Sequence, residues 1–480
     1  MKSTAPESLT EKNRSFSDAF IKVIWTLFLV FLVITAITLF RPVEWRIEGI
    51  IVFDQLSLLM STVLTLFCGI VLSYSSRYLA GHAKLSRFFI NCVLFTMAGF
   101  LMVTADHILL FTAGWLGMGL CMAELIGGYT HVLEGAASRK NARKYFLLST
   151  SLLAGGFGLL AVQANTWSIS AIINAIGDES TSHLTVYIAV LLLIVAAFIQ
   201  SALFPFQRWL MSSMTAPTPA SALMHAGFVN AGAILLTRTA PLLFITDLLW
   251  VLVLAGGIGA LVGKFSKFVQ ANIKQKLACS TTAQMGFMLL QCGLGFFSAA
   301  ITHLILHGFY KAYLFLSSGS SVSQETPYAT EEQHWSGWQL PVTIVSGLAG
   351  GVLFAYTTGK GLQLNSGLFL TLVIVLTVIH GTQDLLKQTG LSAGAKLLML
   401  PIVIVPALLG YALIFNGISS LLSGMPMAEI PLPIASDQVI IGILYLATFI
   451  TIELKLYRKS RRLYVHLLNI SQPKSNTILQ

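Results

Sequence analysis

The chain has 480 residues, 55% of them hydrophobic and only 10% charged, with a formal charge of +10. A soluble domain carries roughly a quarter charged residues, so this chain lacks the polar surface to cover itself in water. That excludes a soluble enzyme and a disordered protein. The apolar residues fall in long runs and not in the alternating segments of an outer-membrane barrel, which leaves an all-α polytopic membrane protein.

At about 20 apolar residues per crossing, the runs predict helices at 20–40, 51–74, 88–105, 107–128, 145–163, 184–204, 218–238, 242–263, 277–294, 297–318, 338–358, 366–381, 395–416 and 437–456. These make about 13–14 transmembrane helices. A polar tail at 1–19 precedes a main bundle at 20–320. A polar loop at 321–337, acidic at Glu325, Glu331 and Glu332, leads to C-terminal helices at 338–456 and a basic tail at 457–480. The run at 20–40 is too long for a signal-peptide core and is expected to stay as the first helix. Most of the 29 Lys and Arg cluster in alternate loops, as at Arg77, Lys84 and Arg87, at Arg139 to Lys144, and at Lys264 to Lys276. This positive-inside bias places both termini in the cytoplasm. It also accounts for the basic excess without a nucleic-acid partner. The five cysteines sit singly in apolar runs, without metal-binding spacing, and read as packing residues.

A charge in the middle of a membrane helix costs several kcal/mol, so each one is a functional candidate. His303, His307 and Lys311 follow at intervals of four in AAITHLILHGFYKAYLFL, which puts them on one helix face. Imidazole titrates near neutral pH, and such a ladder with water between its members suits proton relay. It could also be polar packing. Glu124 lies in the Gly-rich GWLGMGLCMAELIGGYT, either as a carboxylate at depth or as a solvated residue at the helix end. In FPFQRWLMSSMTAPTPASALMHAGFVNAG, Pro205, Pro217 and Pro219 interrupt helices. Broken helices at membrane depth line cavities and ion sites, which marks His225 and the neighbouring Asn230. Asp54 reads as a helix cap. His380, Asp384 and Lys387, near a helix end, read equally as a gate or as an ordinary interface group.

The stretches FDQLSLLMS, ADHILLFTAGW, APTPASALMHAGFVNAG, KLACSTTAQMGFM and HLILHGFYKAYLFLSSGS resemble the antiporter-type membrane subunits of respiratory complex I and of multi-subunit sodium/proton antiporters, over about residues 50–320. The resemblance implies two inverted repeats of five helices, each with a broken helix, joined by a polar axis that conducts protons. Leu116 stands where that family has Glu, and Gln200 where it has the Lys of the broken helix. His225, His303, His307 and Lys311 match its relay positions, and Glu124 is a candidate substitute for the missing Glu.

Within this family the variant details are similar to the DabB subfamily, the membrane subunits of bacterial inorganic-carbon pumps. That resemblance implies a non-enzymatic subunit without a cofactor of its own. It would conduct protons or sodium ions and drive CO2 hydration to bicarbonate in a large zinc-binding DabA-like partner. The alternative is a subunit of a respiratory NADH–quinone oxidoreductase or a sodium/proton antiporter.

Overall fold

The computed structural model describes residues 7–41, 44–128, 133–177, 183–318, 337–387, 392–427, 429–453 and 461–477. The acidic stretch Glu325, Glu331 and Glu332 lies outside them, with residues 321–336 of the expected polar loop. The first half runs through α1 (Glu7–Phe40), α2 (Gln55–Tyr78), α3 (Leu85–Thr104), α4 (Ile108–Gly127), α5 (Leu133–Ala164), the short α6 (Ile169–Ile176) and α7 (His183–Gln200). After the small α8 (Arg208–Ser212) come α9 (Thr218–Ala226) and α10 (Ala231–Arg238), then α11 (Ala240–Ile245), α12 (Leu249–Val269), α13 (Ile273–Gly293) and α14 (Phe297–Leu316). The last third holds α15 (Gln339–Thr358), α16 (Gly367–Leu386), α17 (Ala393–Leu421), α18 (Ser436–Glu453) and α19 (Arg461–Ile470). Among the described residues, 11 helical segments are long and apolar enough to cross a membrane. With α7, α13 and α14 beside them, the polytopic all-helical reading holds.

Three boundaries differ from expectation for physical reasons. The run beginning at 51 opens with a strand: β1 (Trp45–Ile47) and β2 (Ile51–Phe53) pair antiparallel around Gly49, whose φ is +69. Hydropathy cannot separate three β residues from the helix they precede. α5 begins twelve residues before its apolar run, because Arg139, Lys140, Arg143 and Lys144 are good helix formers that continue it beyond the lipid. α7 stops at Gln200, short of Pro205. Ala202 adopts φ +50, its N–H donates to Ile199 O at 3.2 Å, and Leu203 N–H donates to Phe198 O at 3.0 Å. This is a Schellman ending, with alanine in the left-handed position that glycine usually takes.

The core lies among α2–α14, where the large buried side chains Phe88, Phe95, Phe111, Trp115, Phe146, Trp209 and Phe228 interlock. Phe146, Trp209 and Phe228 pack edge to face, with centroids 4.5–5.7 Å apart. Trp209 Nε1 donates to Ile199 O at 2.8 Å, taking up a carbonyl near the end of α7. α12 and α13 meet backbone to backbone: a Cβ on Gly256 would stand 2.6 Å from Leu290 N and 2.7 Å from Gly286 O. Small residues at such contacts are what lets helices associate in lipid.

The two ends of the bundle differ. At one end lie Lys84, Arg87, Arg139 and Lys274. The residues expected to form a basic tail instead dock there in part: Gln270 Nε2 donates to Ser471 Oγ at 2.6 Å, and Lys474 N–H to Ser212 Oγ at 3.2 Å. At the other end the hairpin carbonyl of Ile50 accepts from Asp106 N–H and His107 N–H. There Asp54 caps α2, with Ser57 N–H donating to it at 2.8 Å and Ser57 Oγ accepting from Asp54 N–H. The same carboxylate forms an ion pair with Arg238 at the end of α10, and Arg238 also donates to Val103 O at 2.8 Å. Burial opposes the Asp54 charge, yet the Arg238 guanidinium and the Ser57 donors outweigh it and hold the carboxyl below its ordinary value.

Removing one partner of such a mostly buried pair costs about 3–5 kcal/mol. Asp54→Asn is therefore expected to lower the thermal unfolding midpoint in detergent clearly more than Asp54→Leu combined with Arg238→Met. Because the folded-state value lies below the unfolded one, the contribution is complete above about pH 4 and fades as pH falls through the folded-state value. The gap between wild type and Asp54→Asn should shrink accordingly in acid.

Candidate functional site

The segment Thr218–Arg238 is the most enclosed of the crossings, with 94% of it buried, and it is not continuous. α9 ends at Gly227, residues Phe228–Asn230 form a 3-10 turn, and α10 follows. Asn230 Nδ2 donates to Ala226 O at 2.7 Å, filling part of the gap in the helical ladder. His225, fully buried in the last turn of α9, stacks on Phe315 of α14 with ring centroids 4.4 Å apart. Neither of its ring nitrogens has a partner in the structure.

α14 packs along α9 and carries the ladder. The rings of His303 and His307 stack at 6.1 Å. His307 is 6% exposed and Lys311 is fully buried. Lys311 Nζ donates to Leu277 O at 2.9 Å, in the first turns of α13, and lies one turn along α14 from His307 and one turn before Phe315, on which His225 stacks. The break in α9–α10 and the α14 ladder are therefore one cluster. His303 Nε2 and both nitrogens of His307 lack partners, as do Thr282 Oγ1, Gln291 Oε1 and Ser298 Oγ nearby on α13 and α14. So many unpaired polar atoms in lipid would cost a few kcal/mol each if dry, so the cluster is a place for water.

The other candidates fall elsewhere. Gln200 is fully buried in the last turn of α7, where that helix meets α10, and neither amide atom has a partner. Glu124 is not a carboxylate at depth. It lies in the last turn of α4 at the basic end, 3.1 Å from Arg87 and 3.2 Å from Arg139, with its side chain 27% exposed. The glycines that follow let the chain turn there, so the apolar run ends almost as soon as Glu124 appears. His380 Nδ1 is 2.8 Å from Glu453 Oε1, and its Nε2 is 3.7 Å from Asp384 Oδ2. Lys387 caps α16 one turn further on.

A cavity of about 400 Å³ joins these two regions. His303 and Gln291 line it at the side away from the basic end, His380 and Lys264 line it towards the basic end, and Tyr445 and Gln284 lie between. Sequence reasoning missed Glu453 and Lys264, which sit at the ends of apolar runs and read as interface charges.

Two family profiles match: "NADH:quinone oxidoreductase/Mrp antiporter, TM" over residues 105–340, and "NADH-Ubiquinone oxidoreductase (complex I), chain 5 N-terminus" over residues 43–89. The chain belongs to this antiporter-like family. Among relatives, a "Probable inorganic carbon transporter subunit DabB" of Bacillus subtilis is 36% identical over 323 residues, 66% of this chain and 63% of that protein. The "NADH-quinone oxidoreductase subunit L" of Escherichia coli is 37% identical over 283 residues, 58% of this chain and 46% of that protein. The chain thus spans about half to two thirds of the length of the curated relatives it matches. The solved structure of an Mrp complex from Dietzia superposes over 97% of this chain and 52% of that one, with a TM-score of 0.56 at 20% identity, and so shares the antiporter-like fold.

Among the described residues no acidic side chain pairs with Lys311. Replacing a buried charge by an apolar side chain of similar volume is often neutral or stabilising. Lys311→Met is therefore expected to leave thermal stability within about 1 kcal/mol of wild type or above it. A loss of about 3 kcal/mol or more in detergent unfolding would make Lys311 a structural residue instead.

Proposed function

We propose that the chain is the ion-conducting membrane subunit of an inorganic-carbon uptake pump. The observation that carries this reading is the cluster of buried His225, His307 and Lys311 with half-buried His303, unpaired by any described carboxylate, in a chain 36% identical to a subunit named for inorganic carbon transport. Protons, or sodium ions at the broken helix, would move down their gradient through this cluster. The basic end would face the cytoplasm of a bacterial inner membrane, following the positive-inside bias. The chain itself would perform no catalysis and hold no cofactor. CO2 hydration to bicarbonate would belong to a DabA-like partner with zinc, docked on this subunit, and the ion-linked state change would bias that reaction as a coupling free energy between two sites. Glu124, held by Arg87 and Arg139 at the basic end, would act at the mouth of the path, and Gln200 would border it at the end of α7.

A respiratory subunit is the second reading, favoured by the 37% identity to subunit L. Leu116 and Gln200 weigh against it, since a Glu–Lys pair would be absent from the path.

The test is growth in ordinary air of a carbonic-anhydrase-deficient bacterium that expresses this chain with a DabA-like protein encoded beside it. Rescue is expected for the pair, for neither protein alone, and not for the pair carrying Lys311→Met. Rescue that survives Lys311→Met, with both proteins present in the membrane, would remove the relay from the mechanism. Rescue by this chain alone would overturn the division of labour.

A further inference from the structure

The cavity between His303 and His380 is not explained by a single relay helix. Its walls come from α12 to α18, and three polar groups facing it have buried atoms without a partner: Gln291 Oε1, His303 Nε2 and Tyr445 Oη. Apolar side chains make up most of the lining, so water would gather at these groups and at Gln284, Thr377 and Thr448, each molecule needing two to four polar partners. At the basic end His380 lines the same cavity, and its Nδ1 is hydrogen-bonded to Glu453 at 2.8 Å. With its amide turned so that the nitrogen and not the oxygen faces the carboxylate, Gln383 also donates to Glu453 Oε1 at 3.1 Å. The Glu453 side chain is 14% exposed, whereas the His380 side chain is 43% exposed. The carboxylate is thus the fixed partner, and the imidazole stands between solvent and cavity.

We infer that this cavity is a water-filled branch connecting His303 to the basic end of the bundle, and that Glu453 is a positioning residue that acts through His380 at its mouth. A carboxylate on one ring nitrogen fixes the tautomer and orientation of the other and stabilises the imidazolium when it forms. Water at the basic end gives one proton to the His380–Glu453 pair. The pair releases one to the cavity water, and the water chain delivers one to His303 Nε2. Each hop breaks one N–H or O–H bond and forms another, and no further reactant is needed. Lys264 on α12, Tyr411 on α17 and Tyr445 on α18 share the cavity, and Asp384 flanks the pair on α16. Lys264 would repel a cation and so favours single protons passed along hydrogen bonds over a hydrated metal ion.

The assignment of a proton path rests on the proposed function, whereas the hydration of the cavity does not, and the experiment separates them. In the full chain in native membranes, Gln284→Cys and Thr448→Cys should react with a charged methanethiosulfonate at least about tenfold faster than Ile443→Cys, at the lipid-facing surface of α18. The unmodified chain, with its own five cysteines, supplies the baseline. Reaction no faster than at Ile443→Cys would show a dry cavity and overturn the inference. In vesicles holding the chain with its partner, Glu453→Gln should lower proton flux at least about fivefold and move its pH profile, while Glu453→Asp keeps both near wild type. Flux and profile unchanged by Glu453→Gln would remove Glu453 from the path. An absence of flux in the wild-type complex would overturn the path to His303, while the thiol result would still decide whether the cavity is wet.

Discussion

A polar group in lipid must find a partner inside the protein, and the arrangement of this bundle follows from where that rule is met and where it is left open. At the periphery it is met by charge pairs. Asp54 holds Arg238 at the hairpin end, and Glu124 holds Arg87 and Arg139 at the basic end. Lys360 pairs with Glu429 at 2.7 Å and stands 4.9 Å over the ring of Phe296. These pairs tie α2 to α10, α4 to α3 and α5, and the start of α14 to the C-terminal helices. In the centre the rule is left open, at His225, His307 and the break that follows α9. The paired rim keeps the unpaired centre in place.

The break itself is made by local chemistry. Gly227 and the turn Phe228–Asn230 interrupt one helix, and the Schellman ending at Ala202 stops another. The aromatic triad of Phe146, Trp209 and Phe228 packs beside these two interruptions, and Phe228 belongs to the turn itself. Trp209 supplies both bulk and a donor for the Ile199 carbonyl. Left-handed backbone at a non-glycine residue stores on the order of 1–3 kcal/mol, so the surrounding packing holds this ending against its local preference. Gln200, two residues before Ala202, is fully buried at that ending.

Much of this was legible in the sequence, and the gaps have identifiable causes. The crossings follow from hydropathy because lipid admits few alternatives to a helix. The ladder follows from the spacing of His303, His307 and Lys311, since intervals of four share a face in any α-helix. His225 was marked by the prolines around it, but its joining of the ladder depends on how α9 packs on α14, which no local pattern encodes. Glu124 shows the reverse. Its apolar surroundings suggested depth, and its true position is fixed by Arg87 and Arg139, far away in sequence. Glu453 lay beyond sequence reasoning for the same reason, because its partner His380 is 73 residues away. The hairpin at Trp45–Phe53 was hidden because period-two and period-3.6 patterns cannot be told apart over three residues.

Among the described residues no carboxylate pairs with Lys311, and this limits how the central cluster can work. Lys311 shares one helix face with His307 and one cluster with His225, and like charges close together in a medium of low permittivity repel strongly. The cluster therefore favours at most one positive charge at a time, and a proton can advance only when its predecessor has left. A Glu–Lys pair would relax that restriction by neutralising one member of the chain. With Leu116 and Gln200 where the family resemblance leads one to expect such a pair, repulsion would govern occupancy under the proposed function. Any event that changed the water around His303 or the distance between α9 and α14 would then change whether the next proton was admitted. This would give coupling to a partner a physical handle: a small displacement of one helix, imposed from outside, would switch the conduction of a cluster that has no counter-charge among the described residues.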